Sequence, residues 1–454
     1  MNLDDRPRVI VVGAGVAGLA AAHRLQQQGA SVTVLEASDR VGGKTASLHR
    51  DGYIVNVGAT VLAGSYQAML DIAREVGVGD AVITPPAVIG VYRDGVVHEV
   101  RGGGLGGIVD FVRTPLLSAR SKLALAKVVP DLLRARTKVD YADAAARAEL
   151  DTETVAQYCD RLLNREIRDH LLDPVLGGIF VVEGRELSIA DLWFTIWKVL
   201  LGGLLGYRGG MEFFAKAVAS RLDVRTGATV TKIASSERGA HVQWEDAAGR
   251  HDEAVDGVVV TASAPQAAAM FPEIDPAVKS TMLDRIEQAN LVSIRLGLSR
   301  RPARKALLVV AGTGQLGGLA TISYEHSLSP GAAPEGKGLI GLLPYHEWVT
   351  PRLGLSDDEL LAELLPDLER VEPGISGHIE FAEITRWTPG AIKLTRGTQR
   401  AIADINRWID PRDRVQLAGD YVGMPSVNGS IVSGENAARR LAATLALSPA
   451  LTRR

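Results

Sequence analysis

The chain lacks most of what staples or anchors a fold. Its 454 residues contain a single cysteine, Cys159, which excludes an intrachain disulfide and any cysteine-built metal cluster. It also lacks charge of one sign. Fifty Lys and Arg against 53 Asp and Glu leave a net of −3, which removes the electrostatic case for nucleic acid. No long hydrophobic run is present. The most apolar stretch, Leu192 to Gly206, is short for a membrane span and is broken by Lys198 and a glycine pair. Its plain reading is a buried helix or cavity wall, and the other reading is a peripheral, monotopic membrane contact. Met1 to Arg8 is polar and charged, so no signal peptide is expected and the expected location is cytoplasmic. What is abundant is core material. Hydrophobic residues make up 46% of the chain, enough for two or three domains with a large shared interior.

The segment IVVGAGVAGLAAAHRLQQQGASVTVLEAS, Ile10 to Ser38, carries the strongest local signal. Val9 to Val12 is a β-branched run suited to a strand buried on both faces of a parallel sheet. Gly13, Gly15 and Gly18 follow with G-x-G-x-x-G spacing, Ala14 to Gln28 has helical periodicity, and Gly29 is a stop. Val32 to Leu35 is a second strand, ending in Glu36. Each residue has a mechanical role in holding a dinucleotide. Gly13 permits the tight turn, Gly15 lets backbone approach a pyrophosphate, Gly18 allows close helix–strand packing, and Glu36 accepts hydrogen bonds from a ribose. Gly102, Gly104 and Gly107 repeat the spacing, but no second strand ending in an acid follows at the right distance. Their expected form is a flexible loop.

Beyond Glu36 the chain runs EASDRVGGKTAS and then DGYIVNVGATVL, a strand-like alternation ending in small residues. Later come GYRGGMEFFAKAVASRL, VRTGATVTKIASSERGAHVQW, DGVVVTASAP and RVQLAGDYVGMPSVNGSIVSGENAARRLAATLA. Together these resemble, from end to end, the flavin-containing amine oxidase superfamily. That superfamily includes monoamine oxidases, protoporphyrinogen oxidases and phytoene-type desaturases. The resemblance implies FAD and an α/β fold, with a Rossmann-like FAD-binding domain interleaved with an α+β substrate domain. It implies that Arg40, Gly43 and Lys44 lie against FAD, Lys44 standing where the family has arginine. The Val230 backbone would reach the adenine, and Asp420 the ribityl or pyrophosphate region. The last helix would start near Asn428 to Ile431 and point at the flavin ring. The family's cysteinyl attachment position carries Ala391, so the FAD is expected to be non-covalent.

The implied organisation is 1–75, 206–285 and 385–454 for the FAD domain. Residues 76–205, largely helical, and 286–384, sheet plus helix, would form the substrate domain. The oxidised bond is harder to read. In the resemblance, amine oxidases place two aromatics at the flavin face and a lysine near N5, where this chain has Ala391 and Ile392, Ser426, and Ser293. That favours desaturation of a C–C bond in a cyclic or apolar substrate (a cyclic ketone, porphyrinogen or isoprenoid), with oxygen or a quinone as electron acceptor. C–N oxidation of an amine is the alternative, and a redox-neutral flavoprotein or isomerase the third. Candidate catalytic residues are Arg295, sharing a strand face with Ser293, Tyr345 (with His346) as a proton acceptor, and Tyr421 beside Asp420. No spacing signals a metal site.

Overall fold

β-Branched residues build the central sheet. The computed structural model of the chain describes residues 6–102 and 104–447. Five strands lie in the spatial order Asp223–Thr226, Ser31–Glu36, Arg8–Val12, Gly257–Val260 and Val415–Leu417, every neighbouring pair parallel. Val9 to Val12 and Gly257 to Val260 are buried throughout, as a sheet covered on both faces requires. From the central Arg8–Val12 strand the chain moves to one side through Ser31–Glu36 and later to the other through Gly257–Val260. Such a reversal opens a crevice at the carboxyl ends of the strands, where ligands of open α/β sheets bind.

Two helices start at that edge, Val16–Gln27 and the 18-residue Val427–Thr444. They pack on each other so closely that a Cβ on Gly434 would overlap the carbonyl of Ala17. Gly18 is equally constrained. A Cβ there would overlap Gly13 O and lie 2.8 Å from Thr261 Oγ1, whose hydroxyl donates to Val12 O at 2.7 Å.

A second sheet of seven strands has the order Ile379–Ile392, Gln288–Leu298, Gly338–Pro344, Leu319–Tyr324, Leu308–Ala311, Val88–Arg93, Val96–Arg101. Its pairs are antiparallel except Leu308–Ala311 with Val88–Arg93. Helix Asp357–Val371 covers one face with Leu360, Leu364 and Leu368, spaced by four so that they form one stripe. Helix Asp173–Phe180 lies against the sheet through Gly178, which a Cβ would bring to 2.9 Å from Thr321 Oγ1. The boundary expected at 384/385 falls inside the 14-residue strand Ile379–Ile392, because that strand pairs with Gln288–Leu298 along its length.

Two expectations change. Gly104–Arg113 is a helix following the strand Val96–Arg101, so the second glycine cluster is not a flexible loop. The stretch Leu192 to Gly206 divides into three parts: the buried end of helix Ile189–Phe194, a π-helical turn Thr195–Leu200, and the strand Leu204–Tyr207. No helix among the described residues is long and apolar enough to cross a membrane.

The two glycines of the first turn make separable demands. Gly18→Ala should lower the unfolding free energy by about 1–3 kcal/mol through overpacking against fixed backbone. Gly15→Ala should leave it unchanged, because Gly15 has φ −71° and nothing lies within 4 Å of its Cβ position. Urea unfolding of both variants without added cofactor checks this, and equal losses would contradict it.

Candidate functional site

The glycine turn sits at the crevice edge and a second loop is laid across it. Gly13 has φ +100°, and its N–H donates to Leu35 O at 2.8 Å. Gly42 N–H donates to Ala14 O at 2.8 Å, and a Cβ on Gly43 would stand 3.6 Å from Gly15 Cα. Gly42 and Gly43 both have positive φ, +103° and +52°, which explains the glycine pair in this loop. The carboxylate of Glu36 accepts from Ala14 N at 2.7 Å and from Ser38 N and Oγ at 2.9 and 2.6 Å. It therefore ties the end of its own strand to the glycine turn.

The remaining residues expected around a cofactor come from distant parts of the chain. Lys44 Nζ is 3.4 Å from Asp420 Oδ2, joining the second loop to the turn before the last helix. Ala228 N donates to Glu36 O at 2.8 Å, which sets Val230 and its strand Thr229–Ser236 beside the acidic end of Ser31–Glu36. Arg40 stays at the surface with Asp39. Ser426 caps the last helix, accepting from Gly429 N at 3.0 Å. Ile431 is buried, and Asn428 Oδ1 accepts from Met69 N at 3.1 Å. That ties the side-chain oxygen of Asn428 to the helix Gln67–Glu75. The set fits a dinucleotide on the structure's own terms: open space at the Gly15 Cβ position, the cation of Lys44 on the loop laid across the turn, and a long helix starting at the crevice.

Arg295 is not a free anchor for a substrate. It is 1% exposed, and its Nε lies 2.9 Å from Oε1 of fully buried Glu325. Nη2 donates to Thr60 Oγ1 at 2.8 Å and to Gly58 O at 3.2 Å. Glu325 Oε2 accepts from Asn56 Nδ2 at 2.7 Å, which also donates to Tyr207 Oη at 2.9 Å. Tyr207 donates in turn to Thr60 O at 2.8 Å, and Asn56 Oδ1 accepts from Met211 N at 2.9 Å. Arg295 is thus a positioning residue for the turn Gly58 to Thr60. That turn adjoins the second loop, since Ala59 N donates to Lys44 O at 2.8 Å. Trp387 holds the same turn from the other side, donating Nε1–H to Val57 O at 2.9 Å. Asn56, Tyr207 and Trp387 carry no local sequence signal for this role, because the partners that place them lie more than a hundred residues away, and Glu325 meets Arg295 from another element 30 residues on.

The tyrosines are also corrected. Tyr345 Oη donates to Ala311 O at 2.6 Å, and burial pushes its pKa well above the ordinary phenol value. A hydroxyl that is neutral and committed to a carbonyl is no proton acceptor. His346 Nδ1 is engaged with Asn290 N at 2.9 Å. Tyr421 is fully buried with no partner for its hydroxyl among the described residues, and burial, reinforced by the charge of Asp420, drives its pKa upward. It packs beneath the crevice turn, its ring 3.4 Å from the Cβ position of Gly419. Ser293 is buried and its hydroxyl is likewise unpartnered. Cys159 is buried, and desolvation raises its thiol to about 12.

Glu325→Gln should cost about 3–5 kcal/mol, because it strands the Arg295 charge in a dry interior. Replacing both partners with apolar residues of similar size, Arg295→Met with Glu325→Leu, should cost less than the single change. Chemical denaturation of both proteins decides the order, and a more damaging double variant would contradict the pairing.

Comparison with known proteins agrees with this geometry. Coproporphyrinogen III oxidase of Bacillus subtilis (strain 168) is 24% identical over 469 aligned positions, covering 93% of both chains. Coproporphyrinogen III oxidase of Staphylococcus aureus (strain NCTC 8325 / PS 47) is 24% identical over 96% of this chain and 99% of its own. Among solved structures, cyclohexylamine oxidase from Brevibacterium oxydans IH-35A superposes with a TM-score of 0.74 at 17% identity, covering 97% of this chain and 100% of its own, which speaks for the fold. The family described as flavin containing amine oxidoreductase matches residues 16–442. The chain belongs to that family, and it is a flavin-type oxidase.

Proposed function

We propose that the chain holds FAD non-covalently and removes hydrogen across a C–C bond of a cyclic, largely apolar substrate of the porphyrinogen type. The observation that carries this reading is the end-to-end likeness to two coproporphyrinogen III oxidases, over more than nine-tenths of each chain. In this reading residues 1–75, 206–285 and 385–454 hold the cofactor, and 76–205 and 286–384 hold the substrate. It includes a cytoplasmic location, in keeping with the lone reduced thiol.

FAD, when bound, would supply a hydride acceptor at N5 and a route for electrons to oxygen or a quinone. The chain's own residues do the rest. Backbone at Gly15 and Gly43 gives the pyrophosphate room to approach, Lys44 offsets its charge, and Glu36 receives the ribose hydroxyls. The start of Val427–Thr444 favours negative charge near it by roughly 0.3–1 kcal/mol. Val181 supports an apolar substrate wall. This β-branched residue sits at φ +53°, a left-handed conformation costing about 1–3 kcal/mol, and closes the turn after Ile179 and Phe180. It packs with Leu291, which pairs with Trp387 across the strands. Ile392, Ala391 and Ser426 themselves offer no aromatic ring, which suits a broad tetrapyrrole better than a small amine.

Two measurements test this. Glu36→Ala should lose most of its bound FAD on gel filtration, because charge-assisted hydrogen bonds are worth about 1.5–3 kcal/mol each. Acid precipitation of the parent protein should release all of it, and flavin kept in the pellet would refute non-covalent binding. Anaerobic stopped-flow with coproporphyrinogen, protoporphyrinogen, cyclic ketones and primary amines then separates the reactions. Rapid bleaching by a porphyrinogen or another ring substrate supports desaturation. Rapid bleaching by amines alone would reassign the enzyme to C–N oxidation.

A further inference from the structure

We infer that the groove beside the strand Val415–Leu417 docks a short basic segment of a partner protein, with apolar residues between its cations. That strand is the last of the parallel sheet, and the groove has a volume of about 590 Å³. Its apolar lining comes from Phe271, Ile274, Trp408 and Ile409, with Val415 and Leu417 of the strand itself. Helix Thr398–Trp408 packs beside helix Pro276–Ser280 and ends at the groove. Trp408 is 36% exposed there, the one aromatic among the large exposed hydrophobic side chains of the described residues. No lining residue takes part in the crevice at the glycine turn.

The rim is acidic and uncompensated. Glu237, Glu273, Asp275 and Asp413 all line the groove, and none forms an ion pair with a cation among the described residues. The two cations that line it are engaged, Arg412 Nη2 with Asp410 at 2.7 Å and Arg414 Nη1 with Asp256 O at 3.4 Å. Arg407, whose guanidinium stands over the Trp408 ring, is held by Asp404 at 2.8 Å. Ser235 N donates to Glu273 Oε2 at 2.9 Å, which pins the hairpin tip carrying Glu237 to the loop carrying Asp275. Asp275 in turn is fixed as the cap of helix Pro276–Ser280, accepting from Ala277 N at 2.8 Å. Burial, reinforced by the charges of Asp410 and Asp275, pushes the Asp413 carboxyl above its ordinary value, the direction a carboxylate takes when it is short of a cation.

Charge and shape together select the occupant. Four carboxylates repel phosphate, so neither a nucleic acid nor an anionic lipid layer suits the groove. A second copy meeting the same face across a two-fold axis would set one acidic rim against another. A lysine or arginine stem can lie along Trp408 while its charge meets Asp413, and an apolar neighbour can enter beside Phe271 and Ile274. The carboxylates come from three parts of the chain, a hairpin tip, a loop and the turn after a helix, so several cations on one backbone answer them better than one small ammonium ion. The inference does not rest on the identity of the oxidised bond.

The test is fluorescence anisotropy of a labelled hexapeptide of alternating lysine and leucine, titrated with the purified, flavin-loaded protein. The peptide should bind at low salt and bind at least about tenfold more weakly at high salt, and its glutamate–leucine counterpart should not bind. Glu237→Gln with Asp413→Asn should weaken binding about tenfold, and Trp408→Ala at least about threefold. Circular dichroism, flavin content and flavin bleaching should stay unchanged in both variants. Glu237 and Asp413 are exposed, so the charge variant stays readable even where loss of the Trp408 ring loosens its helix end. No binding by the parent protein would overturn the inference, as would equal binding by the folded variants. So would displacement of the peptide by n-butylammonium at a matching concentration, which would assign the groove to a small organic cation. A dimer in sedimentation that Trp408→Ala dissolves would assign it to a second copy and overturn the inference too.

Discussion

The hydrogen bonds that the buried Arg295–Glu325 pair makes to Gly58, Thr60 and Asn56 tie the antiparallel sheet to the segment between the first strands and the rest of the molecule. Both side chains are excluded from water, they neutralise each other, and each also bonds to the segment Asn56 to Thr60. Arg295 projects from the antiparallel sheet onto Thr60 and Gly58. Glu325 receives Asn56, whose other atoms bind Tyr207 and Met211 in the segment returning toward the parallel sheet. A buried pair of this kind contributes little net stability against an apolar substitute, because two ions must first leave water. What it supplies is direction. The charges are satisfied only when the turn Gly58 to Thr60 lies in one place, and Trp387 fixes the same turn from the opposite side.

With that turn fixed, the crevice is built from backbone more than from side chains. Gly18 and Gly434 remove the Cβ atoms that would hold the two long helices off the central strand and off each other. Gly42 and Gly43 let the second loop cross Gly15. Lys44 and Asp420 then close the contact between the first 50 residues and the last 40 or so. Each of these is a close approach at the carboxyl edge of a parallel sheet whose order reverses there, the position where the fold itself leaves a gap.

Much of this architecture was legible in the sequence, for a definite reason. Gly13, Gly15, Gly18 and Glu36 act within one strand–helix–strand unit, so spacing along the chain translates into spacing in the molecule. The same holds for helix Asp357–Val371, whose leucine stripe is a local pattern. The Arg295 reading failed for the converse reason. Strand periodicity says only which residues share its face, and the partner that neutralises it, Glu325, lies 30 residues on, in another element. Tyr345 was misread because a tyrosine after a strand offers no sign of whether its hydroxyl meets solvent or, as here, Ala311 O. The second glycine cluster went wrong because helix Gly104–Arg113 begins at a glycine, the residue that usually marks where a helix stops.

These corrections bear on how the site works. Arg295 and Tyr345 are each committed to partners inside the fold, and Tyr421 is sealed in the core with no partner among the described residues. A reaction that needed a protein base poised near neutral pH would call for an ionisable side chain with an open face. The residues here do something different: they keep backbone turns, one cation–carboxylate contact and a helix start in fixed positions around the crevice. The proposed desaturation asks less of such a base, because the substrate's own framework would drive the loss of hydrogen. The left-handed residue Val181 is retained where packing over-determines the backbone. It ends the helix at Phe180, which packs against the main core, and leaves Ile179 exposed.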